Sequence, residues 1–243
     1  MARFFVEPEQ VSEKTINIFG DDVKHIAKVL RLRIDEKITV CDKCGNDYEC
    51  TIDEISSDRV VARIVSTAKN FAESDIEITL LQGLPKSDKM DLIIQKCVEL
   101  GVSKIIPVIT KRAVSRPTDG DKKLVRWQKI SAEAAKQCGR GIIPEIGKII
   151  SFNDALKLVE NNDALSIMPY ECESEGKLRD VLKGADKKKV FVFIGPEGGF
   201  DEAEVIAACK AGVKTVTLGP RIMRTETAPL AVCSVIMYEI GDW

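Results

Sequence analysis

The stretch "KKVFVFIGPEGGF", Lys188–Phe200, decides how the chain reads. Its apolar run Val190–Ile194 has the continuous character of a strand covered on both faces, as in a parallel sheet, and it breaks into Gly-Pro-Glu-Gly-Gly. Asp201 with Glu204 then forms a capping-box signature, so a helix follows, and Gly212 closes it. The next strand signal, "KTVTLG" at Lys214–Gly219, opens into a second loop, "LGPRIMRTETAP" at Leu218–Pro229. A helix of that length can carry a right-handed crossover between neighbouring parallel strands, which predicts both loops side by side at the carboxyl edge of one sheet. That edge is where open α/β sheets bind ligands. Glycines there permit positive φ and a close approach of backbone to ligand. Glu197 is the anomaly, because a phosphate-binding loop would avoid its charge.

Outward from these loops, strands and helices alternate. Ahead of them come a strand at "IEITLLQGL" (76–84) and a helix at "SDKMDLIIQKCVELG" (87–101), with Ser87 placed to cap it and Gly101 to close it. A strand at "KIIPVI" (104–109) leads to a helix over 120–139, apolar at Leu124, Trp127, Ile130, Ala134 and Cys138. A helix at 152–160, a strand at 164–170 and a short helix at 177–184 complete the run to Lys188. The last helix is expected from about Thr227 to Ile240, with Pro229 in its first turn. Its segment "LAVCSVIMY" is apolar all round, which predicts burial on every side, under its own domain or in a subunit interface. This alternation implies an α/β domain with a mainly parallel sheet. Residues 1–70 differ: four strand-like runs at 15–19, 37–42, 47–55 and 59–66 surround one helix at 21–32, opened by Asp21 or Asp22. They read as a compact barrel-like module, with 66–75 as linker.

Composition excludes several classes. No apolar run approaches membrane-spanning length and the start lacks a signal peptide's apolar core, so a cytoplasmic protein without membrane contact is expected. The eight cysteines are scattered, as small buried hydrophobes are in a reducing compartment. Cys41 and Cys44 have zinc-ligand spacing, with Cys50 and His25 as the nearest further ligands, but a structural site needs four. A turn between two strands is the reading preferred, with no metal. Net charge is −2, yet residues 82–150 hold 14 Lys/Arg against 7 Asp/Glu. Such a surplus on an otherwise acidic chain marks either a polyanion partner or a solvated helix face.

The ligand follows by exclusion. Neither G-x-G-x-x-G nor G-x-x-x-x-G-K-[ST] occurs. A glycine-lined crevice carrying Glu197 suits a neutral adenine or ribose, or a cationic sulfonium, so S-adenosylmethionine fits better than a nucleoside triphosphate. Glu197 can equally brace the loop by accepting backbone N–H groups, and the two roles are compatible. Arg221, Arg224, Thr225, Glu226 and Thr227 gather just before the last helix, where arginines and a helix end favour anions.

These two loops, "IGPEGGF" and "LGPRIMRTETAPLAV", carry a resemblance to the RsmE family of small-subunit (16S) rRNA uracil-N3 methyltransferases, within the SPOUT superfamily. "MARFF", "HIAKVLRL", "KMDLIIQKCVELGV" and "EAAKQCGR" extend it along the chain in the same order, with Cys138 in place of an expected serine-like residue. The resemblance implies a PUA-like RNA-binding β-barrel at 1–70 and a trefoil-knotted α/β methyltransferase domain at 74–243, working as a homodimer. It implies S-adenosylmethionine as donor, held by Met168, by Gly195, Pro196, Glu197, Gly198, Gly199 and Phe200, and by Leu218, Gly219, Ile222, Met223, Arg224, Thr225, Thr227 and Ala228. The target it implies is N3 of one uridine near the decoding site, methylated in the assembled small subunit. Glu226 is the candidate base, with Arg224 or Arg221 stabilising the developing anion; those groups could instead bind phosphate or brace the loop, and solvent could take the proton. Arg3, Arg31, Lys111, Arg112, Arg116, Arg126 and Arg140 are the candidate rRNA contacts. Ribose 2′-O methylation and a non-catalytic assembly role on the same fold are the rivals.

Overall fold

The computed structural model describes every residue except Ser87 and 115–119, so the Ser87 cap and Arg116 lie outside the described residues. The chain divides into two compact units, Met1–Glu73 with Ala135–Ile143, and Ser74–Ala134 with Pro144–Trp243.

The first unit is a curled five-stranded sheet. Strands β1 (Arg3–Phe5), β2 (Thr15–Phe19), β3 (Lys37–Cys41), β4 (Asn46–Ile55) and β5 (Arg59–Lys69) run in the order β1-β3-β4-β5-β2, and every pairing is antiparallel except β1 with β3. Alternation sends Ile16, Ile18, Ile38, Val40, Ile52 and Val60 into one core, joined by Phe4 and by Ile26. Ile26 comes from the segment after β2, a turn of α-helix, α1 (Asp21–Lys24), that widens to π-helix over His25–Val29. This helix is shorter than expected. Gly20, at φ 74, precedes it rather than an aspartate cap, while Asp21 and Asp22 sit in its first turn, where their charge favours the positive helix end. Arg31 follows at φ 54 and breaks away from helix geometry. β5 also runs on through Lys69, into what reads from sequence as linker.

The expected turn after β3 is built on one carboxylate. Asp42 accepts hydrogen bonds from the backbone N–H of Cys44 (2.8 Å) and Asn46 (3.1 Å) and from the Asn46 side chain (2.6 Å). Cys41 is buried against Arg3 and Asp47, and burial pushes its thiol up to about 12, so it remains a protonated packing group. Cys44 is exposed, and among the described residues no group of three or more His, Cys, Asp or Glu is placed to hold a metal ion.

The second unit is a parallel sheet flanked by helices. Its strands are β6 (Glu77–Gly83), β7 (Lys104–Ile109), β8 (Glu145–Ile146), β9 (Ile150–Ser151), β10 (Leu165–Pro169), β11 (Lys189–Ile194) and β12 (Lys214–Val216). Their order is β12-β10-β11-β6-β7-β8, with β9 also on β7, and all pairings are parallel. The helices are α2 (Lys89–Glu99), α3 (Gly120–Cys138, of which the residues from Ala135 on count with the first unit), α4 (Phe152–Glu160), α5 (Leu178–Leu182), α6 (Glu202–Lys210) and α7 (Ala228–Ile240). Phe193, Phe152, Phe200 and Met168 centre one core cluster between sheet and helices. No helix among the described residues is long and apolar enough to cross a membrane.

One expectation is corrected. β12 pairs with β10, not with β11, so a third strand end stands between the two that carry the glycine loops. The α6 crossover spans one intervening strand, a step that sequential neighbours take about a third of the time. Within the single chain, α7 is buried on one side. It packs on α2, α5 and β11 through Val232, Cys233, Ile236 and Met237, while Val235 and Tyr238 are exposed, Tyr238 by 71%.

Candidate active site

The carboxyl ends of β10, β11 and β12 surround one cavity of about 930 Å³. Gly195–Phe200, after β11, forms one wall, and Thr217–Thr225 with Ala228, after β12, forms the opposite one. Pro169–Glu171 with Glu173, Ser174 and Lys177, after β10, closes the third side, and Lys89 enters from the first turn of α2.

The β11 loop is set by close backbone packing. A Cβ on Gly83, at the end of β6, would lie 2.7 Å from Pro196 Cδ and 2.9 Å from the Ile194 carbonyl, so β6 can approach the loop only as glycine. Gly199 turns at φ +66, and a Cβ there would meet Glu171 Oε1 at 2.6 Å. The loop is then tied to the β12 loop by one buried hydroxyl. Thr225 Oγ1 donates to the Gly195 carbonyl at 2.7 Å and accepts from Gln82 Nε2 at 3.1 Å, with both side chains buried.

The Glu197 anomaly resolves at Lys89. Glu197 accepts the Lys86 backbone N–H at 3.1 and 3.3 Å, and its Oε1 lies 3.1 Å from Lys89 Nζ. The same ammonium lies 3.0 Å from Glu226 Oε2, so one lysine joins a carboxylate from each loop. Burial pushes the Glu197 carboxyl up, but backbone N–H groups and Lys89 outweigh it and leave it below its ordinary value. Glu226 is also lowered, by its own backbone N–H first and by Lys89 after it. Lys89 is raised by Glu226 and then Glu197, which keeps it charged. The third wall is braced by Glu173, which accepts from the Thr215 hydroxyl (2.7 Å) and from the backbone N–H of Glu175 (3.0 Å) and Gly176 (3.1 Å). These bonds, Thr215 first, hold its carboxyl at about 2.

Of the residues named from sequence, Gly195 through Phe200, Leu218, Gly219, Arg221, Ile222, Met223, Arg224, Thr225 and Ala228 line this cavity. Met168, Thr227 and Glu226 are not among its lining residues: Met168 is fully buried in the core, and Glu226 sits on Lys89. Lys89, Glu171 and Glu173 are lining residues that sequence reasoning missed. Lys89 did carry a signal, because a cation in the first turn opposes the helix dipole and needs a reason to be there. The candidate phosphate contacts divide. Arg3 is bonded to both oxygens of Asp47, and Arg140, with a side chain 6% exposed, is paired with Glu73. Lys111, Arg112 and Arg126 are exposed, on Asp201, on the Gly198 carbonyl and on Asp91 respectively, and Arg31 is exposed.

The family of the RNA methyltransferase domain matches residues 72–237, and that of the RNA methyltransferase PUA domain matches residues 19–65. Ribosomal RNA small subunit methyltransferase E of Bacillus subtilis (strain 168) is 34% identical over 248 residues, covering 98% of this chain and 97% of that protein. The chain belongs to the small-subunit rRNA methyltransferase E family. A member from Neisseria gonorrhoeae, solved bound to S-adenosylmethionine, superposes with a TM-score of 0.90 at 35% identity, covering 100% of this chain and 99% of that one. A Legionella pneumophila methyltransferase, also solved with this cofactor, gives 0.87 at 29% identity over 100% and 99%. The fold is thus that of the SPOUT methyltransferases of this family, with a PUA-like sheet and an α/β domain.

Proposed function

We infer that this chain methylates small-subunit rRNA with S-adenosylmethionine as donor, at N3 of a uridine, acting on the assembled subunit as a homodimer. The observation that carries the reading is the meeting of both glycine loops around one cavity, clasped by Lys89. The residues present suit that donor. The cavity has the volume of a small-molecule site, its floor is glycine backbone, and its lining carboxylates Glu171, Glu173 and Glu197 favour hydroxyls and positive charge over phosphate. Gly195–Phe200 and Leu218–Ala228 would hold the donor, with the residues beside Met168 on the third side. When bound, it supplies an electrophilic methyl group on a cationic sulfur.

The chain's own task is the uridine. N3 carries a proton and its lone pair is delocalised into two carbonyls, so it becomes a useful nucleophile only as that proton leaves. Fixing the base in a cavity walled by three loops can supply roughly 7–11 kcal/mol of barrier reduction through alignment alone. Glu226 is held on Lys89, behind the lining, with its basicity lowered, which favours solvent as the proton's acceptor and Glu226 as the lysine's anchor. Arg221 and Arg224 are exposed at the cavity, where they would meet the target's phosphates. Lys111, Arg112 and Arg126, with Arg31, are the residues proposed to grip rRNA, while Arg3 and Arg140 serve internal ion pairs.

The test is methylation of small subunits from cells lacking the modification, using labelled donor and identifying the nucleoside by mass spectrometry. The expected product is 3-methyluridine on subunits, with little on free rRNA. Label on a ribose would overturn the base assignment, and tight binding without transfer would favour an assembly role.

A further inference from the structure

Among the described residues, Lys89 brings together the cavity, both loops and an ammonium with three N–H bonds. Two carboxylates face it among those residues, Glu197 at 3.1 Å and Glu226 at 3.0 Å. Lys89 and Glu197 line the cavity and Glu226 does not, so the ammonium faces a ligand with one carboxylate beside it and the other behind it. Both carboxylates have a further anchor. Glu197 is fixed to the Lys86 backbone, and Glu226 sits at 17% side-chain exposure beside Arg224, 4.0 Å away. The two anchors come from different loops, and the lysine comes from a helix start, where its charge is unfavourable without them.

We propose that Lys89 is a catalytic residue that touches the substrate uracil, donating its third N–H to a ring carbonyl oxygen and stabilising the negative charge that develops there as the N3 proton leaves. The proposal rests on the uracil-N3 reading above. As the N3–H bond breaks, its electron pair delocalises onto the carbonyl oxygens and the proton passes to solvent; the pair would then form the new N3–C bond as the donor's methyl–sulfur bond breaks and leaves its electrons on a neutral sulfur, with the lysine protonated throughout. The carboxylates that raise Lys89 suit it to this role, since it serves as a fixed positive charge and not as a base. A preorganised donor aimed at developing charge contributes far more in a walled cavity than in water.

The experiment compares two substrates: small subunits with ordinary uridine, and subunits from cells grown on 5-fluorouracil, whose ring fluorine makes N3–H more acidic and lessens the need for stabilisation. Lys89→Met should lower kcat by about 10²–10³-fold on uridine subunits, the loss typical of removing one such donor. On fluorinated subunits the loss should be markedly smaller, with donor affinity measured by calorimetry changed only a few-fold. Equal losses on both substrates, or a fall in donor affinity that accounts for the whole loss, would overturn the assignment and leave Lys89 as a loop brace. Should Lys89→Met fail to fold through its unpaired carboxylates, Lys89→Met/Glu226→Gln removes one of them and is read against Glu226→Gln alone. The underlying reading fails separately, if the wild-type protein yields no 3-methyluridine on either substrate.

Discussion

Thr225 shows how much of this site hangs on single polar groups. Its hydroxyl lies between the Gly195 carbonyl and the buried Gln82 amide. Thr225→Val keeps the shape and removes both bonds, leaving one N–H of the buried Gln82 amide unpaired, its other bond to the Gly83 carbonyl remaining. The expected loss is about 1–3 kcal/mol in urea unfolding, with weaker donor binding because the β11 loop loses its tie to the β12 loop. Glu173 gives a prediction in pH. Its ordinary value is 4.5 and its folded value about 2, so folding favours the ionised form. That contribution is complete above the unfolded value and drains away as pH falls through the folded one. Glu173→Gln should therefore be less stable than wild type at pH 7, and the gap in urea midpoint should narrow as pH drops from 4.5 towards 2. A gap independent of pH would show that the loop is braced without the charge.

Among elements, α7 separates what its sequence could and could not disclose. "LAVCSVIMY" signals a helix with no polar face, and the helix forms over Ala228–Ile240. Hydropathy cannot say whether such a face meets its own chain or another, and within the single chain one side of the helix is buried while Val235 and Tyr238 stand exposed. Strand order failed for a related reason. Val190–Ile194 and Lys214–Val216 each carry a local strand signal, but which strand lies between them is set by packing between residues far apart in sequence. The glycine loops were legible because Gly199 and Gly219 need positive φ, at +66 and +98, whereas Glu171 and Glu173 reach the cavity only through the inserted β10. Lys89 was quoted in a motif yet missed as a site residue, since its partners lie in two distant loops. The element-scale prediction concerns the buried side of α7. Ile236 is fully buried where the helix packs on the rest of its unit, so Ile236→Ala should cost about 2–5 kcal/mol in urea unfolding, while a polar change at Tyr238 should stay within about 0.5 kcal/mol.

For the whole molecule, the exposed side of α7 supplies the argument for a dimer. Val235 and Tyr238 are one turn apart on a helix that carries no basic residue and only Glu239 as an acid, and Leu92 is 44% exposed on its packing neighbour α2. A second copy presenting the same patch about a two-fold axis would cover these groups on both chains at once, which is how an isologous interface uses one surface twice. The chain mass is 26.8 kDa, so sedimentation of the wild-type protein should give a particle of about twice that. Val235→Asp/Tyr238→Asp should shift it to the single-chain mass, because each charge would be buried against its own copy without a partner. Circular dichroism should stay native, since neither side chain is in the core. A wild-type protein that sediments as a single chain would remove the dimer from the reading while leaving the cavity, built wholly from one chain, in place. If instead the double variant becomes monomeric and also loses donor binding, the α7 face supports the site across the interface, and the β12 loop that leads directly into α7 is the element through which it does so.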